Sequence, residues 1–263
     1  MKIGASTSCL YPMVTELALY NLLEMGVMNL EIFFNTSSEL DKKFVKSMKR
    51  EVKRHKGKIL SLHPYSSSFE PYMFFSDYER RFSDMLEDYK KYFEAANELG
   101  AELIVIHGDK LPARLPEEKY FERFARIMEC GKEYGVVVAQ ENVNLHRSQD
   151  PEFLCRMREW IGEETKFVFD VKQAVRAGFD PYDFAERLGS GIAHIHVNDN
   201  DSKAHCMLPG KGEMDYLRLK SIVQKNGCDP NWVAEVYRTN YGEAYEIKES
   251  VEWLDNLLNG ENE

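Results

Sequence analysis

The chain has 263 residues, with 34 Lys and Arg against 44 Asp and Glu, for a formal charge of −10. That balance disfavours a broad hold on nucleic acid, which runs on Lys and Arg neutralising phosphate, although it leaves room for a local basic groove. With 43% apolar and 12% aromatic residues there is material for a large core, and the length suits one β/α barrel of ~250 residues, so residues 1–263 are expected to form one domain.

In chain order, short runs rich in Val, Ile and Phe alternate with longer amphipathic stretches, as parallel βα units require. Strands are predicted at Lys2–Ser6, Asn29–Phe34, Ile59–His63, Glu102–His107, Val136–Glu141, Lys166–Asp170, Ile192–Asn198 and Trp232–Val236. Helices are predicted at Val14–Met25, Glu39–His55, Asp77–Leu99, Glu117–Tyr134, Pro151–Ile161, Pro181–Leu188, Tyr216–Asn226 and Ala244–Leu258. Pro116-Glu117-Glu118 opens one of these helices, and Gly100 closes the one before the fourth strand. An open doubly wound sheet would carry Gly-x-Gly-x-x-Gly after its first strand, whereas Ser6-Thr7-Ser8-Cys9 stands there. The predicted fold is therefore α/β, a single (β/α)8 TIM barrel with its site at the carboxyl ends of the strands.

No apolar run approaches the ~20 residues of a membrane span, and Met1-Lys2-Ile3-Gly4 enters a strand without a signal-peptide core. A cytoplasmic protein without a membrane partner is expected, and a homo-oligomer is compatible with the sequence. Cys9, Cys130, Cys155, Cys206 and Cys228 are odd in number and lack any Cys-x-x-Cys spacing, which favours reduced thiols over disulfides or a thiolate zinc site.

Six predicted strands carry at or near their carboxyl end a group able to bind a metal: His63, His107, Glu141, Asp170, His196 and Glu235. In a parallel barrel these ends converge on one mouth. Each alone is a weak signal, since an isolated histidine is more often a core or surface group and a buried glutamate can serve a salt bridge. The repetition of apolar strand followed by acid at Glu141, Asp170 and Glu235 is the stronger sign. His194 and His196 share a face at period two; His196, nearer the strand end, is taken as the ligand and His194 as a deeper structural residue. After His107, Gly108 is read as leaving room for a ligand. Carboxylates with imidazoles suit Mn²⁺ or Zn²⁺, with Co²⁺ and Mg²⁺ as alternatives, and the glutamates could move protons at a carbon that such an ion acidifies.

Ser61-Leu62-His63, Val105-Ile106-His107-Gly108, Gln140-Glu141-Asn142, Phe169-Asp170, His194-Ile195-His196-Val197-Asn198-Asp199, Leu208-Pro209-Gly210-Lys211-Gly212-Glu213 and Ala234-Glu235-Val236 together resemble motifs of the xylose isomerase-like barrel superfamily. That superfamily includes sugar isomerases and epimerases, inosose dehydratases and endonuclease IV-type apurinic-site enzymes, and the resemblance runs along essentially the whole chain. It implies one metal held by Glu141, Asp170, His196 and Glu235, with Glu141 and Glu235 as the catalytic acid and base. It also implies a second metal or substrate contacts at His63 and His107. The family histidine three residues after the sixth-strand aspartate is Gln173 here, which weakens a three-zinc site and makes Gln173, with His205 and Arg238, a candidate for substrate binding. Glu31 resembles a second-strand glutamate of the family, or belongs to a buried network below the site.

The implied function is a metal-dependent isomerase or epimerase of a sugar, sugar acid or cyclitol, working through a metal-stabilised enediolate on a small carbohydrate or cyclitol. The alternatives are an apurinic-site phosphodiesterase, an inosose-type dehydratase and a barrel that binds a ligand without catalysis. The charge of −10 and a third-strand loop, Tyr65-Ser66-Ser67-Ser68-Phe69-Glu70, without a basic residue count against DNA.

Overall fold

A computed structural model describes residues 1–260. Eight parallel strands pair in sequence order and close on themselves: β1 (Ile3–Ser6), β2 (Asn29–Phe33), β3 (Lys58–His63), β4 (Leu103–Ile106), β5 (Val137–Glu141), β6 (Lys166–Asp170), β7 (Ile192–Val197) and β8 (Asn231–Ala234). Closure is made by β8 against β1, Ile3 facing Trp232 and Ala5 facing Ala234. The open-sheet alternative is thereby excluded.

The surrounding helices are α1 (Thr15–Glu24), α2 (Lys42–Arg54), α3 (Glu79–Leu99), α4 (Glu117–Glu133), α5 (Pro151–Ile161), α6 (Val171–Arg176), α7 (Pro181–Leu188), α8 (Tyr216–Lys225) and α9 (Tyr245–Asn259). Their starts follow local chemistry. Asp150 and Asp180 accept the first free amides of α5 and α7, each followed by proline at the first helical position. Gly100 ends α3 at φ +74°, a left-handed conformation costly for a side chain.

Two stretches differ from expectation. The predicted helix from Glu39 begins only at Lys42, because Asp41 caps the amide of Lys43, while Glu39 is buried and accepts bonds from Thr15 Oγ1 and the Asn35 amide. The second is α6, which the sequence did not announce. Asp170 ends β6 and at once caps α6, accepting from the Gln173 amide at 3.2 Å.

The packing has two parts. Outward-facing strand residues and helix faces form a continuous apolar annulus, each large side chain contributing roughly 1.5–3 kcal/mol by leaving water. Inside the barrel, Leu103, Val105, Ala139 and Val168 make a small separate apolar plug. Register irregularities beside Glu31 and Val168 set Glu31 opposite Ser61, His194 opposite Val168 and His196 opposite Asp170, so a polar layer sits on the plug. All five cysteines are free. Among the described residues no helix is long and apolar enough to cross a membrane.

Candidate metal centre

His63, Glu141 and Asp170 are the last residues of β3, β5 and β6; His107 and Glu235 directly follow β4 and β8, and His196 is the penultimate residue of β7. Period-two alternation turns all six inward. Ligand-capable atoms of Glu141, Asp170, His196 and Glu235 lie within 4.8 Å of one another, as do those of His63, His107 and Glu141. His196 Nδ1 is 2.9 Å from Glu141 Oε1, 3.5 Å from Glu235 Oε2 and 3.8 Å from Asp170 Oδ2. His107 Nε2 is 2.9 Å from both Glu141 Oε2 and His63 Nε2.

The donor set fits a divalent cation on its own geometry. Glu141 Oε2 is buried and satisfied by no hydrogen bond, although two imidazole nitrogens face it. Orphaned buried carboxylate oxygens are costly unless a cation meets them. His196 is oriented from below: its Nε2 stands 3.1 Å from Glu31 Oε2, leaving Nδ1 toward the quartet, the carboxylate–histidine arrangement that fixes a metal-binding imidazole. Glu31 in turn accepts from Ser61 Oγ at 2.7 Å and lies 3.5 Å from His194 Nε2.

The charges balance locally. Burial alone would raise Glu141 and Glu31, but His107 and His196 hold Glu141 well below its ordinary value, and His196 with His194 does the same for Glu31. Burial lowers His196, yet the surrounding carboxylates, Glu31 first, push it well above its ordinary value. Asp170 is pushed up to about 6 by burial, against the pull of Lys172. Burial and then His107 bring His63 down to about 4, so it is neutral near pH 7 and able to ligate or accept.

Three residues that sequence reasoning passed over build the frame. Gln140 Nε2 donates to the carbonyls of Ile106, His107 and Glu141, and Asn142 clamps Asp170 at both its amide and its carbonyl. The signal was present in the two amides flanking a strand-end glutamate. The third is Lys172, whose side chain is 3% exposed. Its Nζ donates to Asp170 Oδ2 and, at 2.6 Å, to Glu235 Oε2.

A cavity of about 530 Å³ opens above this layer, lined by Glu141, Glu235, His63, His107, Lys172 and Gln173 and by the aromatic rings of Phe33, Tyr65 and Tyr237. Asp170 and His196 lie beneath it, fully buried. Gln173 Oε1 also accepts from the Asn144 amide at 3.1 Å. The structure does not bring His205 or Arg238 to this wall. His205 is exposed, and Arg238 donates to the Tyr241 carbonyl and stacks on that ring. Asp199, in the same loop as His205, spends its carboxylate on the amides of Asn200, Gly210 and Met214. The space beside Gly108 is not for a ligand: at φ +84°, an added Cβ would meet the Tyr120 hydroxyl at 2.2 Å.

The family model described as xylose isomerase-like TIM barrel matches residues 19–257. An uncharacterized protein of Mycobacterium leprae is 25% identical over 240 residues, covering 81% of this chain and 80% of that protein. Among solved structures, a D-tagatose 3-epimerase-like protein superposes with a TM-score of 0.79 at 22% identity, covering 98% of both chains. The 3-keto-D-glucoside 4-epimerase of E. coli does so at 0.77 and 18% identity, covering 97% of this chain and 99% of its own. At these identities the two structures establish a shared fold.

Proposed function

The chain belongs to the xylose isomerase-like TIM barrel family, and from that premise we propose that it is a divalent-metal-dependent isomerase or epimerase of a sugar, sugar acid or cyclitol. The observation that carries this reading is one cavity wall bearing two carboxylates, Glu141 and Glu235, joined to buried Asp170 and His196 in a single metal-capable group. The names of the two structural relatives, both epimerases or epimerase-like, support the same class.

Three carboxylates and one imidazole without a thiolate suit Mn²⁺ or Zn²⁺, with Co²⁺ and Mg²⁺ behind them. When bound, such an ion draws electron density from adjacent substrate oxygens and acidifies the C–H between them. The chain's own residues do the rest. Glu235 is held below its ordinary value by Lys172 and then His196, against the raising effect of burial, so it and Glu141 are carboxylates at neutral pH and each can take a proton from the carbon it faces. Neutral His63 and neighbouring His107 can bond substrate hydroxyls. Phe33, Tyr65 and Tyr237 add apolar surface to the cavity, which reduces access of water to the reacting carbon.

The test is a panel of ketoses, sugar acids and inososes incubated in heavy water with Mn²⁺ present and followed by NMR. Deuterium uptake at one carbon, with conversion between two isomers, is expected. No uptake across the panel by the metal-loaded protein would point instead to a barrel that binds without turnover.

A further inference from the structure

The metal-capable quartet already contains a cation belonging to the chain. Lys172 is the second residue of α6, and the cap that starts this helix is Asp170 itself. Asp170 Oδ1 is occupied by the Gln173 amide and by Asn198 Nδ2, both at 3.2 Å. That leaves Oδ2 turned toward the quartet, where the Lys172 ammonium meets it together with Glu235 Oε2. These oxygens approach His196 Nδ1 at 3.8 and 3.5 Å, beside Glu141 Oε1 at 2.9 Å, so they are two of the three carboxylate oxygens that a metal ion at Nδ1 would need.

We propose that Lys172 is a tethered cation that competes with the divalent ion for Asp170 and Glu235, so that the affinity of the centre for metal is set by how readily its ammonium leaves those oxygens. The proposal rests on the metal-centre reading above. An ammonium and a dication cannot share both oxygens, because two like charges a few ångströms apart in a buried site repel strongly. Asp170 and Glu235 would otherwise stand beside Glu141 and Glu31 with His196 as the imidazole nearest to both, and Lys172 supplies further positive charge without metal. The ammonium also has somewhere to go. It lies on the cavity wall, with the Tyr237 ring 5.8 Å away. That ring is held in place by Arg176, which donates to its hydroxyl at 2.9 Å and stacks at 5.1 Å. An ammonium over an aromatic face retains part of its stabilisation.

The test measures Mn²⁺ binding by calorimetry and thermal unfolding with and without Mn²⁺, for chelator-stripped full-length wild type, Lys172→Met and Asp170→Ala. Methionine keeps an unbranched apolar stem in place of the lysine methylenes and removes the ammonium. Lys172→Met is expected to bind Mn²⁺ more tightly than wild type, on the order of tenfold or more. Without metal it should unfold at a lower temperature than wild type, and Mn²⁺ should raise its Tm by more. If the stripped variant is too unstable to titrate, its recovery to wild-type Tm in excess Mn²⁺ supports the proposal, and failure to recover refutes it. Equal or weaker Mn²⁺ binding by Lys172→Met, with wild type binding and Asp170→Ala not, overturns the competition while leaving the metal centre intact. Wild type and Lys172→Met both failing to bind Mn²⁺ or Zn²⁺ overturns the metal centre, and the competition with it.

Discussion

Two clusters of carboxylate and imidazole meet at His196, and they differ in depth rather than in chemistry. Below it, Glu31, Ser61 and His194 form a sealed group with every side chain fully buried. Above it, Glu141, Asp170 and Glu235 form a group that reaches the cavity. Either could be taken for a metal site from residue types alone. One step of strand alternation separates them, since His194 and His196 are two residues apart on one face of β7. In the deep cluster Glu31 Oε2 is met by a hydroxyl and two histidines, while Glu31 Oε1 and His194 Nδ1 are buried without a partner and out of reach of the cavity. The upper cluster leaves Glu141 Oε2 unsatisfied and borrows Lys172. In a barrel, depth along the strand separates groups that hold the site from groups that work in it.

The sharpest way to break this contrast is to alter the upper carboxylates. Glu141→Gln and Glu235→Gln keep shape but lose the charge that takes a proton, so with saturating metal each should lower turnover by roughly 10²–10⁴-fold, read as isomer conversion in heavy water. One variant can still exchange hydrogen at a single face, an outcome that misfolding would not produce. Near-wild-type conversion by both would reduce these glutamates to ligands or structural groups.

A smaller effect comes from pH. In the folded protein His63 takes its proton only at about 4, against 6.5 in the unfolded chain. Between those values the unfolded state binds more protons, so this contribution to stability is complete above pH 6.5 and is lost as pH falls toward 4. It amounts to at most about 3 kcal/mol. Denaturant unfolding of metal-free His63→Gln should therefore fall off less steeply than wild type over that window, and parallel curves would show that His63 is not held neutral.

Glu31→Gln tests the deep cluster. It removes the charge that orients His196 without touching the cavity, so metal affinity should drop by about 10–100-fold while bound metal still supports proton exchange. An unchanged affinity would mean that His196 needs no such support. Smallest of all, His205→Ala and Arg238→Ala should leave KM for a confirmed substrate unchanged, because neither side chain lines the cavity. A clear rise in KM would bring the loop after β7 into the site.

The barrel and the upper quartet were legible because β-branched runs ended repeatedly on an acid or imidazole, and parallel strands carry such ends to one place. The helix α6 was not legible. Six residues give no useful 3.6-residue period, and Asp170 closes a strand and caps a helix at the same position. Missing that helix hid Lys172, because only the immediate turn after β6 points a residue two places beyond Asp170 back into the barrel. The resemblance makes His205 a candidate for substrate binding, but Asp199 fastens that loop to itself through three backbone amides and leaves His205 in solvent. Sequence spacing could not show which donors that carboxylate would meet.

Anomalous diffraction from crystals grown with Mn²⁺, recorded on both sides of the manganese edge, tests the division between the two clusters most directly. One peak is expected, within roughly 2.0–2.3 Å of carboxylate oxygens of Glu141, Asp170 and Glu235 and of His196 Nδ1, with Glu31 still bonded to His196 Nε2. No peak at these four ligands, or a peak among Glu31, His194 and His196 instead, would contradict it.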